Sequence, residues 1–261
     1  MNKTLYDSIG GNYKKTRTAD NRILETIKNL LGLPLGSIIA DIGAGSGNYS
    51  NALAKLGYKV KSVEPSEAMR NQATPHNYID WFSGSAESIP LSDNSVNGVI
   101  VILAIHHFHS VQDAIAEIHR ICPSGPVVLL TLDPRESEAL WFEHYFPEIS
   151  QQEFVSFPPI DEIANVIANC GNWSETVYKF PLPYNLSDLN MRAGWNRPEL
   201  YLDLQAMRNT SGFALASESV VQKGAAKLRN DLQSGKWDAK YGYLRTQKKF
   251  DAGFRFIKCI A

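Results

Sequence analysis

Short apolar runs alternate with amphipathic segments through the first two thirds of the chain. The apolar runs have the length of buried strands, and the amphipathic segments repeat their apolar residues at the three- and four-residue spacing of helices. This alternation predicts an α/β fold with a mostly parallel sheet. The predicted strands lie at residues 38–42, 59–63, 99–104 and 127–132, and the predicted helices at 48–56, 111–118 and 160–169.

Two segments lie outside this alternation. Residues 1–35 contain apolar residues at helical spacing before Gly32 and Pro34, which predicts an N-terminal helical segment covering one end of the sheet. Residues 183–251 separate two further predicted strands, and they contain helical patterns of their own. The further strands lie at 176–182 and 254–260, and the helical patterns of the insertion at 200–207 and 220–232.

The pattern predicts a division of the chain by role. We expect residues 183–251, together with 134–157 and the N-terminal segment, to form a helical cap over the carboxyl ends of the strands. Substrate selection is expected to reside in that cap. The predicted units are an N-terminal lid at 1–35, a core at 36–182 and 252–261, and a cap insertion at 183–251.

Composition and charge exclude several classes of protein. The chain has 261 residues, 44% of them hydrophobic, which is enough for one sizeable core. A net charge of −1 does not favour nucleic acid or an anionic membrane as partner. Three distant cysteines predict neither a disulfide framework nor a metal site, and they suit a reducing, cytoplasmic setting. We expect a soluble protein, because no apolar run has the length of a membrane span.

A glycine-rich turn follows the first predicted strand. Gly43, Gly45 and Gly47 alternate with small residues, and glycine lets the backbone bend sharply while a ligand approaches its N–H groups. Glu64 ends the second predicted strand, where a carboxylate can accept both hydroxyls of a ribose. The unit is therefore a βαβ motif with an adenosine-type ligand at the carboxyl ends of its strands.

The details of the turn favour one cofactor over another. A dinucleotide site has the spacing G-x-G-x-x-G for its pyrophosphate, whereas this chain has G-x-G-x-G with Asp41 two residues before the first glycine. An acid there would repel a pyrophosphate and favour a cationic ligand. On these residues the chain resembles the class I S-adenosylmethionine-dependent methyltransferases, and among them the small-molecule branch of ubiquinone and menaquinone biosynthesis.

Further motifs carry the resemblance from about residue 35 to 133. They are an acid-Pro-Ser-x-x-Met run, a Gly-Ser-Ala-Glu turn in which Ser85 replaces the family's acid, and a His-His pair after strand four. The resemblance implies a Rossmann-like seven-stranded sheet with helices on both faces and an antiparallel last strand, in which strands six and seven pair. It also implies S-adenosylmethionine as cofactor, held by Tyr13, Arg17, Asp41, Gly43, Ala44, Gly45, Gly47, Glu64, Pro65, Ser66, Met69, Ser85, Ala86, Glu87 and Leu103.

The candidates for catalysis and substrate binding are histidines, aromatic residues and one arginine. Methyl transfer needs alignment of the acceptor, exclusion of water and, for a weak nucleophile, removal of a proton. His106 and His107 follow strand four and His144 lies in an aromatic run after strand five, so each is a candidate to orient or deprotonate the acceptor. The candidates for the substrate wall are Trp141, Tyr145, Trp195 and Arg208.

Several functions remain open at this point. The leading hypothesis is a methyltransferase acting on oxygen, nitrogen or carbon of a small molecule. The alternatives are a noncatalytic protein that binds S-adenosylmethionine, an oxidoreductase that binds NADH, and a methyltransferase of RNA or protein. Where enzymes that methylate exocyclic amines often carry an Asn/Asp-Pro-Pro-aromatic run after strand four, this chain has Leu103-Ala104-Ile105-His106, so we do not expect exocyclic base amines as the target.

Overall fold

A computed structural model describes residues 17–261, except for the side chains at 205 and 206. Seven strands form the main sheet in the order β3-β2-β1-β4-β5-β9-β6, and a two-stranded sheet pairs β7 with β8. In chain order the strands are β1 (Ile38–Ile42), β2 (Lys59–Val63), β3 (Ile79–Phe82), β4 (Gly98–Ile102), β5 (Val127–Leu132), β6 (Ser174–Lys179), β7 (Leu182–Pro183), β8 (Lys249–Phe250) and β9 (Phe254–Ile260).

Strands β1 to β5 are parallel, and β9 lies antiparallel between β5 and β6. This arrangement confirms the predicted fold class. The α-helices of the described chain are α1 (Asn21–Leu31), α2 (Asn48–Leu56), α3 (Glu67–Arg70), α4 (Val111–Ile121), α5 (Phe142–Tyr145), α6 (Pro147–Ser156), α7 (Ile160–Ala168), α8 (Leu204–Met207), α9 (Ser211–Leu215), α10 (Glu218–Gln233) and α11 (Lys236–Tyr241).

Three predicted elements end earlier or differ in type. Strand β4 ends at Ile102 instead of residue 104, because Leu103 takes a left-handed φ of 52°. Strand β6 ends at Lys179 instead of residue 182, because Pro181 and Pro183 have no backbone N–H for the ladder. The helix predicted over 200–207 is a 3₁₀ turn at Pro198–Leu202 followed by the short α8.

Two hydrophobic layers cover the sheet. Ile23 and Ile27 of α1 belong to a cluster with Ile100 on one face, while Ile115 of α4 belongs to a cluster with Val101 on the other. Neighbouring residues of β4 point to opposite faces, as the strand period of two requires. The carboxyl ends of the parallel strands therefore stay open between the layers.

The insertion between β6 and β9 packs into the same cluster as α1. Trp141, Trp195 and Trp237 are fully buried, and the indole N–H of Trp141 donates to the carbonyl of Trp195 at 2.7 Å. Aromatic rings of this size contribute strongly to packing. Within residues 17–261, none of the helices combines the length and the apolar character needed to cross a membrane.

Candidate functional site

The loop from β1 to α2 is a tight cradle of backbone. Gly43, Gly45 and Gly47 all have positive φ, between 57° and 76°. The N–H of Gly43 donates to the carbonyl of Val63 at 2.9 Å, which ties the loop to the end of β2. A Cβ on Gly43 would lie 2.5 Å from the Cβ of Ala104, so no larger residue fits.

Glu64 lies directly beyond β2 and faces this loop. The residue is 6% exposed, and its carboxylate accepts the N–H of Gly45 and the N–H of Ser66, both at 2.9 Å. Ser66 in turn caps α3, because its hydroxyl accepts the N–H of Met69 at 3.2 Å. Each carboxylate oxygen has more than one lone pair, so Glu64 can also accept ligand hydroxyls.

Asp41 lies beneath the loop. Its carboxylate accepts the hydroxyl of Ser50 at 2.5 Å, and the hydroxyl of Ser62 donates to Ser50 at 2.8 Å. Burial raises the pKa of Asp41 to about 7, with a smaller contribution from the negative charge of Glu64. Asp41 thus joins β1, α2 and β2 from below, and it does not line the open space above the loop.

A cavity of about 410 Å³ opens above the loop at the carboxyl ends of β1, β2 and β4. Most of the predicted cofactor residues line it, whereas Asp41, Gly47 and Ser66 are not in its lining and Tyr13 lies outside the described residues. The predicted residues in the lining are Arg17, Gly43, Ala44, Gly45, Glu64, Pro65, Met69, Ser85, Ala86, Glu87 and Leu103.

Other lining residues were not predicted for the cofactor. Ser46, Asn48 and Tyr49 follow the glycines directly, so their proximity to the motif was a usable signal. Asp188 comes from the insertion, and no motif marks it. The remaining ones follow strand β4 or end it, and they are Ile102, Ala104, His107, Phe108 and His109.

Arg17 and Asp188 form an ion pair in the wall of this cavity. The guanidinium Nε and one Nη contact the two carboxylate oxygens of Asp188, the second contact at 3.3 Å. The side chains are 12% and 2% exposed. The amide of Asn48 donates to the backbone carbonyl of Arg17 at 2.8 Å. A positive and a negative group are therefore held side by side next to the glycine loop.

The two histidines lie in a 3₁₀ turn, Ile105–His107, after the strained residue Leu103. His107 lies in the concave space above the sheet, where loss of water lowers its pKa to about 4 and the charge of Arg17 adds to the effect. Burial lowers the pKa of His106 well below its usual value, and its ring stacks on Phe157 at 4.0 Å. Both imidazoles are neutral at pH 7.

A second, smaller cavity of about 120 Å³ adjoins the first. Arg17, Leu103 and His107 line both cavities and so mark the junction between them. The rest of the second lining comes mainly from α6, α9 and the insertion. Polar residues in it include His106, Gln152, Glu153, Asn190, Arg192 and Thr210, and apolar ones include Leu132, Phe157, Met191, Leu215 and Phe254.

The residues predicted for the substrate wall line neither cavity. Trp141, Tyr145 and Trp195 are buried in the aromatic cluster, where the hydroxyl of Tyr145 donates to Asp231 at 3.0 Å. Arg208 is 61% exposed and lies 3.5 Å from Glu218. His144 is exposed on α5 and also lies away from both cavities. The structure brings His106 and His107 to the site but not these five residues.

Comparison with known proteins agrees with this geometry. A family model described as a methyltransferase domain matches residues 40–130. A crystal structure described as a methyltransferase from an antibiotic biosynthesis pathway of Anabaena variabilis is 45% identical, with a TM-score of 0.91 over 94% of this chain and 99% of that chain.

More distant relatives cover less of the chain or share only the fold. The ubiquinone/menaquinone biosynthesis C-methyltransferase of Rubrivivax gelatinosus is 31% identical over 137 residues, 51% of this chain and 51% of that protein, so the match spans about half the length of that relative. Phosphoethanolamine N-methyltransferase 2 of Haemonchus contortus, solved with S-adenosyl-L-methionine, shares the fold at 19% identity, with a TM-score of 0.58 over 98% of this chain and 55% of that chain.

Proposed function

The chain belongs to the family of S-adenosylmethionine-dependent methyltransferases, and from that premise we propose that it transfers a methyl group from S-adenosylmethionine to a small molecule. The observation that carries the proposal is the junction of two cavities at Arg17, Leu103 and His107. One cavity has the volume of a small-ligand site, and the other can hold an acceptor beside it.

The larger cavity fits the cofactor on observations of its own. The cradle at Gly43 leaves no room for a Cβ, which suits close approach of a ligand to the backbone. The hydroxyl of Ser46 is buried in the lining and has no hydrogen-bond partner among residues 17–261. Glu64 would accept the ribose hydroxyls, and Met69 would contact the adenine.

The ion pair of Arg17 and Asp188 suits the amino-acid end of the cofactor. That end carries a carboxylate and an ammonium group, and the cavity wall presents a guanidinium beside a carboxylate. Opposite charges in this order favour the zwitterion over a pyrophosphate, which has no positive group for Asp188. We propose that Arg17 receives the carboxylate and Asp188 the ammonium.

The chain itself has three tasks in this reaction. S-adenosylmethionine supplies an activated methyl group, so the protein needs no covalent nucleophile. The junction residues align the acceptor, the cap excludes water, and the neutral imidazole of His107 at the junction orients the acceptor through a hydrogen bond, since a pKa of about 4 makes it a weak base. The small second cavity favours a small molecule over RNA or protein.

Calorimetric titration with S-adenosylmethionine, S-adenosylhomocysteine and NADH tests the proposal. We expect both sulfur compounds to bind and NADH not to bind. In Glu64→Ala their affinity should fall about 100-fold, because two charge-assisted hydrogen bonds to the ribose are lost. Glu67→Ala, which changes an exposed acid three residues away, is the matched control and should bind normally.

The outcome separates the alternatives. Binding of NADH alone would point to an oxidoreductase, and binding of none of the three would contradict the cofactor assignment. A noncatalytic protein would bind the sulfur compounds but would form no S-adenosylhomocysteine with any acceptor in a screen of small molecules.

A further inference from the structure

The second cavity limits the size of what it can hold. Its volume is about 120 Å³. An engineered protein cavity of about 150 Å³ holds benzene. The part of the acceptor that enters this cavity is therefore no larger than one six-membered ring, with its reacting atom toward the junction at His107.

The charges of the second cavity are already balanced within the described part of its lining. Arg192 contacts Glu153 at 2.7 Å, and both side chains are nearly fully buried, 3% and 4% exposed. The other Nη of Arg192 donates to the hydroxyl of Ser137 at 3.0 Å. Arg17 contacts Asp188. With the cofactor carboxylate on Arg17, as proposed, an anionic acceptor would have to compete with Glu153 for Arg192 and leave that carboxylate buried without its partner, which is costly.

Within the described residues, two buried polar atoms of the lining lack a partner, Nδ1 of His106 and Nδ2 of Asn190, and the second of them is a fixed donor. The side-chain oxygen of Asn190 accepts the backbone N–H of Arg192 at 3.0 Å, which fixes the orientation of the amide. Its Nδ2 then has no acceptor in the described part of the chain, although Asn190 is only 6% exposed. A buried donor without a partner is unfavourable by about 1–3 kcal/mol, so a ligand oxygen that reaches Nδ2 would be stabilised. Because Nδ2 has almost no accessible surface in the empty cavity, this contact requires a small shift of the amide toward the ligand.

We propose, building on the proposed methyl transfer, that the second cavity binds an uncharged six-membered ring carrying an oxygen substituent that accepts a hydrogen bond from Nδ2 of Asn190. The ring lies among the apolar side chains of Phe157, Met191 and Phe254. Phosphate esters and carboxylates are excluded as the group that enters the cavity. The cavity thus recognises its ligand by shape and by one hydrogen bond from the amide of Asn190, without an ionic contact.

Three probes of one ring size test this proposal. Protein saturated with S-adenosylhomocysteine is titrated with phenol, 4-hydroxybenzamide and 4-hydroxybenzoate, and binding is followed by calorimetry and ligand-observed NMR. The amide and the carboxylate have the same shape and differ in charge. We expect 4-hydroxybenzamide to bind at least tenfold more tightly than either of the others. Tighter binding of 4-hydroxybenzoate, or no binding of any probe at millimolar concentration, would overturn the proposal.

Variants connect the preference to Asn190. Asn190→Asp keeps an oxygen for the N–H of Arg192 but removes the donor, so the preference for the amide over phenol should disappear. Asn165→Asp makes the same chemical change on the exposed face of α7 and should keep the preference. If Asn190→Asp binds S-adenosylhomocysteine normally and still prefers the amide, the assignment to Asn190 is wrong.

A third variant tests where the probes bind and leaves Asn190 unchanged. A Cβ on Gly212 would lie 2.5 Å from Sδ of Met191, so Gly212→Ala displaces a side chain of the cavity lining and should weaken all three probes. Unchanged binding in this variant would place the probes elsewhere. Failure to bind S-adenosylhomocysteine in the wild type would instead contradict the proposed function, so the two failures are distinguishable.

Discussion

The two cavities that meet at His107 are built in different ways. The larger one is lined chiefly by residues directly after β1, β2 and β4, and its shape depends on backbone hydrogen bonds such as that from Gly43 to Val63. The smaller one is lined mainly by α6 and by the insertion, which includes α9, and a buried ion pair between Arg192 and Glu153 lies in its wall. One is shaped by the sheet and the other by the packing of segments distant in the sequence.

This difference predicts that the two cavities respond separately to mutation. The strands fix where the loops of the larger cavity begin, so changes in the insertion, apart from those at Asp188 in its wall, should leave it largely intact. The smaller cavity has no such frame, and its residues keep their places only while α6 and the insertion stay packed. Acceptor binding is therefore expected to change more readily than cofactor binding.

The largest expected effect is the loss of the buried ion pair. Arg192→Met leaves the carboxylate of Glu153 buried without its cation, which destabilises a protein by about 3–5 kcal/mol. We expect this loss in the free energy of unfolding, measured in urea, while the remaining folded protein binds S-adenosylmethionine with unchanged affinity.

An exposed arginine of the insertion provides the control for this variant. Arg208 lies 3.5 Å from Glu218 and both are mostly exposed, so Arg208→Met should change the free energy of unfolding by less than about 1 kcal/mol. Equal effects of the two substitutions, or loss of cofactor binding in folded Arg192→Met, would contradict the separation of the cavities.

A substitution in the glycine loop should weaken cofactor binding, which Arg192→Met is expected to leave unchanged. Gly43→Ala brings a Cβ within 2.5 Å of Ala104 at a positive φ, and overpacking of this kind costs about 1–3 kcal/mol. We expect the affinity for S-adenosylmethionine to fall about 30-fold or more by calorimetry. Gly36→Ala has a φ of 88° but open space around the new Cβ, so it should carry only backbone strain and bind normally. Similar affinities in the two variants would show that the cradle does not shape the cofactor site.

The lowered pKa of His107 at the junction predicts that the stability of the protein depends on pH. The pKa of His107 is lowered from 6.5 to about 4, so between those values the unfolded chain binds a proton that the folded protein does not. The free energy of unfolding should therefore decrease as the pH falls from 6.5 toward 4, and the contribution of His107 should be constant above 6.5. His106, whose pKa is also lowered, adds to the same slope.

Urea unfolding at several pH values checks this expectation without any acceptor. His107→Gln should reduce the slope between pH 6.5 and 4, whereas His109→Gln, at a highly exposed histidine nearby, should leave it unchanged. An unaltered slope in His107→Gln would mean that His107 keeps an ordinary pKa and that its neutrality at the junction needs another explanation.

The sequence predicted the sheet and the larger cavity because their signals are local. The glycines, Glu64 and the Pro-Ser-x-x-Met run lie within one βαβ unit, and the ends of parallel strands bring such residues together. Leu103 was predicted for the cofactor from the family resemblance, although its left-handed φ has no sequence signal. Asp41 was also assigned to the cofactor, but its side chain lies beneath the loop. This could not be predicted, because residue identity does not determine which way a side chain faces.

The smaller cavity could not be predicted in the same way. Arg192 and Glu153 are 39 residues apart, and Asn190 and Asp188 stand in no motif, so only the folded packing joins them. The aromatic run after β5 gave a misleading signal. Trp141 and Tyr145 would suit the wall of an acceptor site equally well, but their rings pack against each other at 5.8 Å inside the cluster. Aromatic side chains favour burial, and the burial can be in a core or in a ligand site.

His144 gives the smallest expected effect and the sharpest test of where the site ends. It was a candidate for catalysis, yet it is exposed, lines neither cavity, and its ring contacts Tyr145 at the edge of the aromatic cluster. His144→Ala should keep turnover within about twofold of the wild type once an acceptor is known, because exposed substitutions away from a site have little effect. His107→Ala, assayed beside it, should lose activity. A large loss in His144→Ala would mean that the acceptor extends past the second cavity to α5, so that the site would include part of this helix.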